Sequence, residues 1–297
     1  MPHANTKWND ETPTDGLQRL KNGATTPSIA SQFSLDGKVG IVAGGAGALG
    51  LESALAVLEA GANIYVVDIV APESLKDDFK LVQSFAKQNG RKLEYRRGNI
   101  CSEAYVKSLV QEVAEKEQRL DFCVLANGWL HPEAPILDLP EETWEKTMKI
   151  NTTGCFLLAQ AVAKQMKDFG TPGSIVIYAS ISGIRIQRQA PNQHHSWAAY
   201  AASKAAAHQL TRNFACELAK DRIRCNSISP GQFWTPMTNT MLTTNPGLYN
   251  HWSQNNNPMG RLGRTDEIRG AVVYLCSQAS SYVTGIDHIV DGGMVLW

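Results

Sequence analysis

Apolar residues along this chain alternate between two rhythms. Short runs, most of them apolar and β-branched, occur at 39–43, 62–68, 92–97, 122–127, 174–180, 224–229 and 288–290, and they predict strands. Most are nearly continuous in apolar character rather than alternating, as expected of strands covered on both faces. Between them, apolar residues recur at helical spacing. One such stretch holds Leu51, Leu55 and Leu58 and ends at Gly61, a residue suited to the position just past a helix. Further helices are predicted at 104–116, 143–167 and 198–220. Strand and helix in regular alternation predict an α/β fold, a doubly wound parallel sheet with helices on both faces. The pattern shows no repeat and no low-complexity linker, so one domain over 35–297 is expected. Residues 1–34 contain Pro2, Pro13 and Pro27 and no sustained period. They read as a partly ordered extension with one short helix near 17–21.

Composition narrows the function. Lys plus Arg is 28 and Asp plus Glu is 28, a formal net charge of zero. There is then no net field to draw in nucleic acid or an anionic membrane surface, and neither partner is expected. With 43% hydrophobic residues over 297 positions, a large core is available. Cys101, Cys123, Cys155, Cys216, Cys225 and Cys276 are scattered without a C-x-x-C pair. The first residues, MPHANTKWNDETPTDG, lack the apolar segment of a secretion signal, and no run reaches the ~20 apolar residues that span a bilayer. Reduced thiols, a cytoplasmic location, no membrane partner and no metal site are expected.

The first predicted strand runs into Ala43-Gly44-Gly45-Ala46-Gly47-Ala48-Leu49-Gly50 and then a helix. Glycines at this point allow a sharp turn, let backbone N–H groups approach a pyrophosphate, and let helix and strand pack closely. Tight turns use the same residues, so context decides. Asp68 ends the next strand 18 positions beyond Gly50. An acid at a strand end is often a turn or cap carboxylate; with the motif complete around it, a contact to ribose hydroxyls is the stronger reading. The sheet is therefore expected to be Rossmann-type. A phosphate on that ribose would meet like charge at Asp68, and no Lys or Arg lies at 45–48 or beside Asp68 in sequence. NAD is expected as cofactor, with NADP disfavoured.

Tyr200 and Lys204 stand at i and i+4, on one face of the helix predicted at 198–220. A free phenol has a pKa of ~10, too high for a proton shuttle at neutral pH, and a nearby cation favours its ionised form. In isolation such a pair is a helical Tyr beside a surface Lys. Ser180, ending the strand at 174–180, adds a hydroxyl able to bond a carbonyl oxygen, and Asn151 can present its amide inward from a helix.

These motifs, in this order, resemble the short-chain dehydrogenase/reductase family over nearly all of 35–297. The match comprises the turn at 44–50, Asn127-Gly128, Asn151, Ser180, Tyr200 with Lys204, and Pro230-Gly231 followed by Thr235. The resemblance implies that Tyr200 is the general acid/base and that Ser180 orients the substrate oxygen. It implies that Lys204 binds the nicotinamide ribose and that Asn151 holds a water in a proton relay. Gly44, Ala48, Leu49, Gly50, Asp68, Ile69, Asn99, Ile100, Asn127 and Gly128 would contact the cofactor from the adenosine side. Pro230, Gly231, Phe233 and Thr235 would flank the nicotinamide. Within the family, the chain's end resembles fungal sugar and polyol reductases of the sorbose and mannitol type. A ketone or secondary alcohol is the implied substrate, either a sugar or polyol or a larger, more apolar secondary metabolite. A nucleotide-binding scaffold and a non-redox enzyme using the same pocket are the alternatives; the first typically loses the Tyr, Lys or Ser present here. The helices at 143–167 and 198–220 imply a homodimer or homotetramer.

Departures from the family pattern are also visible. Ala43 stands for the usual Thr, Ala48 for a usual Gly, and Asn99 for a usual acid, its amide oxygen still able to accept from an adenine amino group. Tyr200 follows Ser180 by 20 positions, longer than usual for the family. The additional residues, 188–197, are expected to form an enlarged loop at the rim of the substrate site. His194 and His195 within it lack a third partner at metal-ligand spacing and are read as solvent-facing. Residues 236–258, mixing Met, Leu, Tyr249 and Trp252 with Asn and Thr, stand where the resemblance implies a lid over the substrate, and by composition alone they read equally as a flexible surface segment.

Overall fold

The computed structural model describes Lys21, residues 28–186 and residues 197–296. Seven strands form one parallel sheet: β1 (Val39–Ala43), β2 (Asn63–Asp68), β3 (Leu93–Arg97), β4 (Phe122–Leu125), β5 (Gly173–Tyr178), β6 (Ile223–Pro230) and β7 (Asp287–Val290). Their order across the sheet is β3-β2-β1-β4-β5-β6-β7. After a single helical turn at Ile29–Gln32, the helices of the described residues are α1 (Ala48–Glu59), α2 (Asp77–Gln88), α3 (Glu103–Glu117), α4 (Glu141–Met148), α5 (Gly154–Phe169), α6 (Ala198–Leu218), α7 (Pro236–Thr244), α8 (Pro246–Asn250) and α9 (Arg269–Cys276). The expected doubly wound sheet is thus present, and two separate apolar clusters, one on each face, account for the unbroken apolar runs in the central strands.

Strand order reverses between β1 and β4. Chain leaving these neighbours goes to opposite sides, so a crevice opens beyond their carboxyl ends. Close approach of the two strands depends on Gly40: a Cβ there would lie 2.2 Å from the Phe122 ring.

Several expectations need correction. Helices α2 and α9 were not apparent in the periodicity, although α2 places Phe79, Val82 and Ala86 inward at helical spacing. The helix expected at 143–167 is divided by a π-helical turn, Lys149–Thr153, between α4 and α5. β4 ends at Leu125, so Asn127 stands in the loop beyond it. Residues 236–258 form α7, α8 and a second π-helical turn rather than an open segment, and Leu242, Leu248 and Trp252 from this region pack into a third apolar cluster with Trp197 and Leu262. Apart from helical Lys21, the short helix expected near 17–21 lies outside the described residues. So does the inserted loop, apart from Trp197. All six cysteines are unpaired with one another, Cys123, Cys155, Cys225 and Cys276 being buried.

Candidate active site

The turn after β1 shows why its glycines are needed. Gly44 has φ +71°, and a Cβ on it would lie 2.6 Å from the Asn127 backbone nitrogen. A Cβ on Gly50 would lie 2.1 Å from the Gly44 carbonyl oxygen, so α1 packs directly on the turn it follows. Gly47 is the N-cap of α1 and supplies no side-chain cap, leaving the first helical N–H groups for another acceptor. Asp68 locks this turn to β2: one carboxylate oxygen accepts the Ala46 N–H at 3.1 Å and the other the Val70 N–H at 3.3 Å.

The absence of a cation near Asp68, inferred from the linear sequence, does not hold in space. Arg97 is the register partner of Asp68 on β3, and its Nε donates to the Ile69 carbonyl at 3.3 Å. Lys76 also lines the cavity beyond the strand ends. Ile69 is exposed, whereas Ile100 is buried beneath α5, where its side chain lies 3.1 Å from a Cβ built on Gly154. The Asn99 amide oxygen already accepts the Cys101 N–H at 2.9 Å, one of its two lone-pair sites.

Helix α6 carries Tyr200 and Lys204 on the face toward the sheet. Lys204 is buried, its Nζ donating to the Tyr178 carbonyl at 2.6 Å and standing 5.7 Å from the centre of the Tyr200 ring. Gly128 keeps this ammonium approachable from the β4 loop: a Cβ at 128 would come within 3.5 Å of Nζ. The strand expected to run to 180 stops at Tyr178, and Ser180 instead caps the short helical turn Ile181–Gly183, its Oγ accepting the Ser182 N–H at 3.1 Å, which leaves the hydroxyl hydrogen free to donate.

Asn151 sits fully buried in the first π-helical turn, presented inward as expected. Its Oδ1 accepts the Trp129 N–H at 2.7 Å, and its Nδ2 donates to the Trp129 carbonyl and to Ser203 Oγ, each at 3.0 Å. Both amide hydrogens are therefore used within the protein, holding the segment at 128–130. Asn127 is anchored similarly, donating to the Ile150 carbonyl at 3.1 Å.

One cavity of about 370 Å³ brings most of these groups together. Ala48, Leu49 and Gly50 line it from the turn, Asn127 and Gly128 from the β4 loop, and Ser180, Tyr200 and Lys204 from β5 and α6. Pro230, Gly231, Phe233 and Thr235 close the side beyond β6. Gly44, Asp68, Ile69, Asn99, Ile100 and Asn151 do not form this wall; Gly44 and Asn151 stand behind it as supports. The end beyond Tyr200 is lined by Leu130, Trp197, Met237, Met241 and Trp252. Among the described residues no cluster of His, Cys, Asp or Glu is arranged to hold a metal ion, and no helix is long and apolar enough to cross a membrane.

Linear reading missed Lys76, Arg97 and the His208–Asp287 pair, whereas Trp197, the end of the insertion expected at the substrate rim, does line the cavity. Only His208 left a usable signal, standing one helical turn after Lys204. Arg97 enters through register, which no local pattern encodes.

The fold and site have close parallels. A family model described as enoyl-(acyl carrier protein) reductase matches residues 44–295. The chain is 33% identical over 279 residues to the short chain dehydrogenases/reductase notP' of Aspergillus versicolor, covering 93% of each. It is 35% identical to sorbose reductase sou1 of Schizosaccharomyces pombe, over 89% of this chain and 98% of the relative. The crystal structure of NADPH-dependent 3-quinuclidinone reductase from Rhodotorula rubra superposes with a TM-score of 0.80 at 31% identity, covering 92% of this chain and 98% of that one. Together with the glycine turn, the Tyr200–Lys204 face and the seven-stranded parallel sheet, this match over most of its length makes the chain an oxidoreductase belonging to the short-chain dehydrogenase/reductase family.

Proposed function

We propose that this enzyme interconverts a secondary alcohol and a ketone with a nicotinamide dinucleotide, NAD(H) in preference to NADP(H), and with Tyr200 as general acid/base. The observation that carries the reading is the meeting of Tyr200, Lys204 and Ser180 on one cavity wall, with the glycine turn on the opposite side. The glycine cradle fits a dinucleotide, because Gly44 and Gly50 bring the backbone so close that no Cβ could be inserted. When bound, the nicotinamide supplies or accepts the hydride. The chain's own groups do the rest. The Ser180 hydroxyl donates to the substrate oxygen, the Tyr200 phenol gives up or takes the proton there, and the Lys204 ammonium steadies charge developing on the phenol oxygen.

Asp68 supports the NAD preference, as its carboxylate would repel a ribose phosphate. Arg97 and Lys76 oppose it in part, and the similar 3-quinuclidinone reductase is named NADPH-dependent. Incubating the protein with NADH or NADPH and a panel of ketoses and cyclic ketones, while following loss of reduced nicotinamide, tests the whole reading. No turnover with any acceptor in either direction would overturn it.

The similarity to sorbose reductase favours a ketose or polyol. The wall of Leu130, Trp197, Met237, Met241 and Trp252 favours a larger, more apolar ketone, since a polyol needs a hydrogen-bond partner for each hydroxyl it buries. Residues 236–258 cover this end of the site, within a catalytic domain that spans 35–297. Assembly as a homodimer or homotetramer through α4, α5 and α6 fits the exposure of Trp144 and Phe156 on those helices; light scattering that gives a 32.5 kDa monomer would refute it. Free thiols at all six cysteines suit a cytoplasmic enzyme.

A further inference from the structure

Helix α6 turns a third titratable side chain toward the strand end that carries Ser180. Residues four apart share a helix face, and after Tyr200 and Lys204 the next position is His208, 6% exposed. Its Nε2 lies 3.3 Å from the Ser180 carbonyl oxygen, one turn along from the bond between Lys204 and the Tyr178 carbonyl. Two successive turns of α6 thus grip two alternate carbonyls at the end of β5. The other ring nitrogen, Nδ1, faces Asp287 Oδ1 on β7 at 3.6 Å. That oxygen is fixed in turn by the hydroxyls of Ser227 and Ser229, each donating at 2.8 Å, while Asp287 Oδ2 is buried without a partner.

A neutral imidazole has a single N–H. Placed on Nδ1, it would leave a bare Nε2 against a carbonyl oxygen, two acceptors face to face. A proton on Nε2 gives the Ser180 carbonyl, which also accepts the Gly183 N–H at 2.9 Å, a second donor from α6.

We propose that His208, backed by Asp287, is a positioning residue that fixes the Ser180 carbonyl and thereby aims the Ser180 hydroxyl at the oxygen that Tyr200 protonates. The inference rests on Ser180 and Tyr200 being the reacting-oxygen pair. Its physical weight comes from geometry, because misplacing a reacting group by about 1 Å can cost ~100-fold in rate. His208→Leu removes the donor and keeps bulk. His208→Gln keeps an N–H able to reach the carbonyl.

Steady-state kinetics of both variants with the best ketone, NADH affinity by fluorescence, and nitrogen NMR of the ring in the intact wild-type enzyme form the test. The expected result is a roughly tenfold to hundredfold fall in kcat for His208→Leu, with NADH affinity within about twofold of wild type and most of kcat restored by His208→Gln. NMR should show a proton on Nε2. An unchanged kcat in His208→Leu, or equal losses in both variants accompanied by weakened NADH binding, would overturn the proposal. A bare Nε2 would overturn it whatever the turnover. Should Ser180→Ala turn over normally, the reading of Ser180 fails instead, a result separable from any His208 effect.

Discussion

Replacing Gly44 by Ala tests the glycine turn at its tightest point. Gly44 has φ +71°, a region that costs a residue with a Cβ of order 1–3 kcal/mol. The new Cβ would also lie 2.6–2.8 Å from backbone atoms of Ala126 and Asn127, where ordinary contact begins at 3.4 Å, so the loop after β4 must retreat by about 0.7 Å. Overpacking of that kind costs about 1–3 kcal/mol, partly offset by ~0.5 kcal/mol from a less flexible unfolded chain. The sum is about 2–5 kcal/mol of destabilisation, a fall in Tm of roughly 5–15 °C for a domain of this size. Because the retreating loop carries Asn127 and Gly128 into the cavity, dinucleotide affinity should fall as well. Gly47→Ala is the control: φ is −80° and the nearest atom to its Cβ, the Gly44 carbonyl oxygen, lies at 3.3 Å, so it should change Tm by no more than about 2 °C. Thermal melts and NADH titration of the two variants decide. Equal behaviour of Gly44→Ala and Gly47→Ala would refute the argument from backbone approach.

Tyr200→Phe should lower kcat by about 10²–10⁴-fold while leaving NADH affinity nearly unchanged, since the ring and the Lys204 bond to Tyr178 persist; near-normal kcat would remove Tyr200 from the acid/base role. Wild-type kcat/KM should favour NADH over NADPH by more than about tenfold, and Asp68→Ala should narrow that ratio; parity in the wild type would mean that Arg97 and Lys76 offset Asp68. Asp121 governs part of the acid response. Burial raises its pKa, but Arg119, the Val39 N–H and Lys38 outweigh that and hold it below the usual carboxylate range. A lowered folded-state pKa gives stability that is complete above the unfolded value of ~3.9 and lost as pH falls below it. Asp121→Asn should therefore melt well below wild type at pH ~7, with the gap closing towards pH ~3. A gap of constant size would show that the charge does not contribute.

The central strands β1, β2, β4 and β5 were legible because a parallel sheet buried on both faces writes itself as apolar runs, and β1 appears at the boundaries its run predicts. Helix α2 was not, because Asp77, Asp78, Lys80 and Lys87 on its outer side dilute a narrow apolar stripe. The division of the 143–167 helix was invisible for a different reason. A π-helical turn changes the hydrogen-bonding partner by one residue and leaves the composition untouched, yet it is this turn that brings Asn151 to the Trp129 backbone. Residues 236–258 looked open because their Asn and Thr residues suggest solvent. The Thr side chains instead cap and back-bond their own helices, as Thr235 does for Thr238, while Trp252 and Leu248 turn inward.

The groups that decide cofactor choice and substrate alignment share one property: each depends on a contact between distant segments. Arg97 stands beside Asp68 only because β3 pairs with β2 in a particular register, and His208 faces Asp287 only because α6 lies over the β6–β7 edge. Local motifs name the chemistry, since a phenol, an ammonium and a hydroxyl can be read from spacing alone. They do not give the field around that chemistry. A buried ammonium such as Lys204 needs a carbonyl, and a buried imidazole needs polar partners for its ring nitrogens, so burying one polar helix face commits the β5 end and β7 to supplying them. The sheet edge that begins as a packing requirement thereby becomes the frame on which Ser180 is aimed.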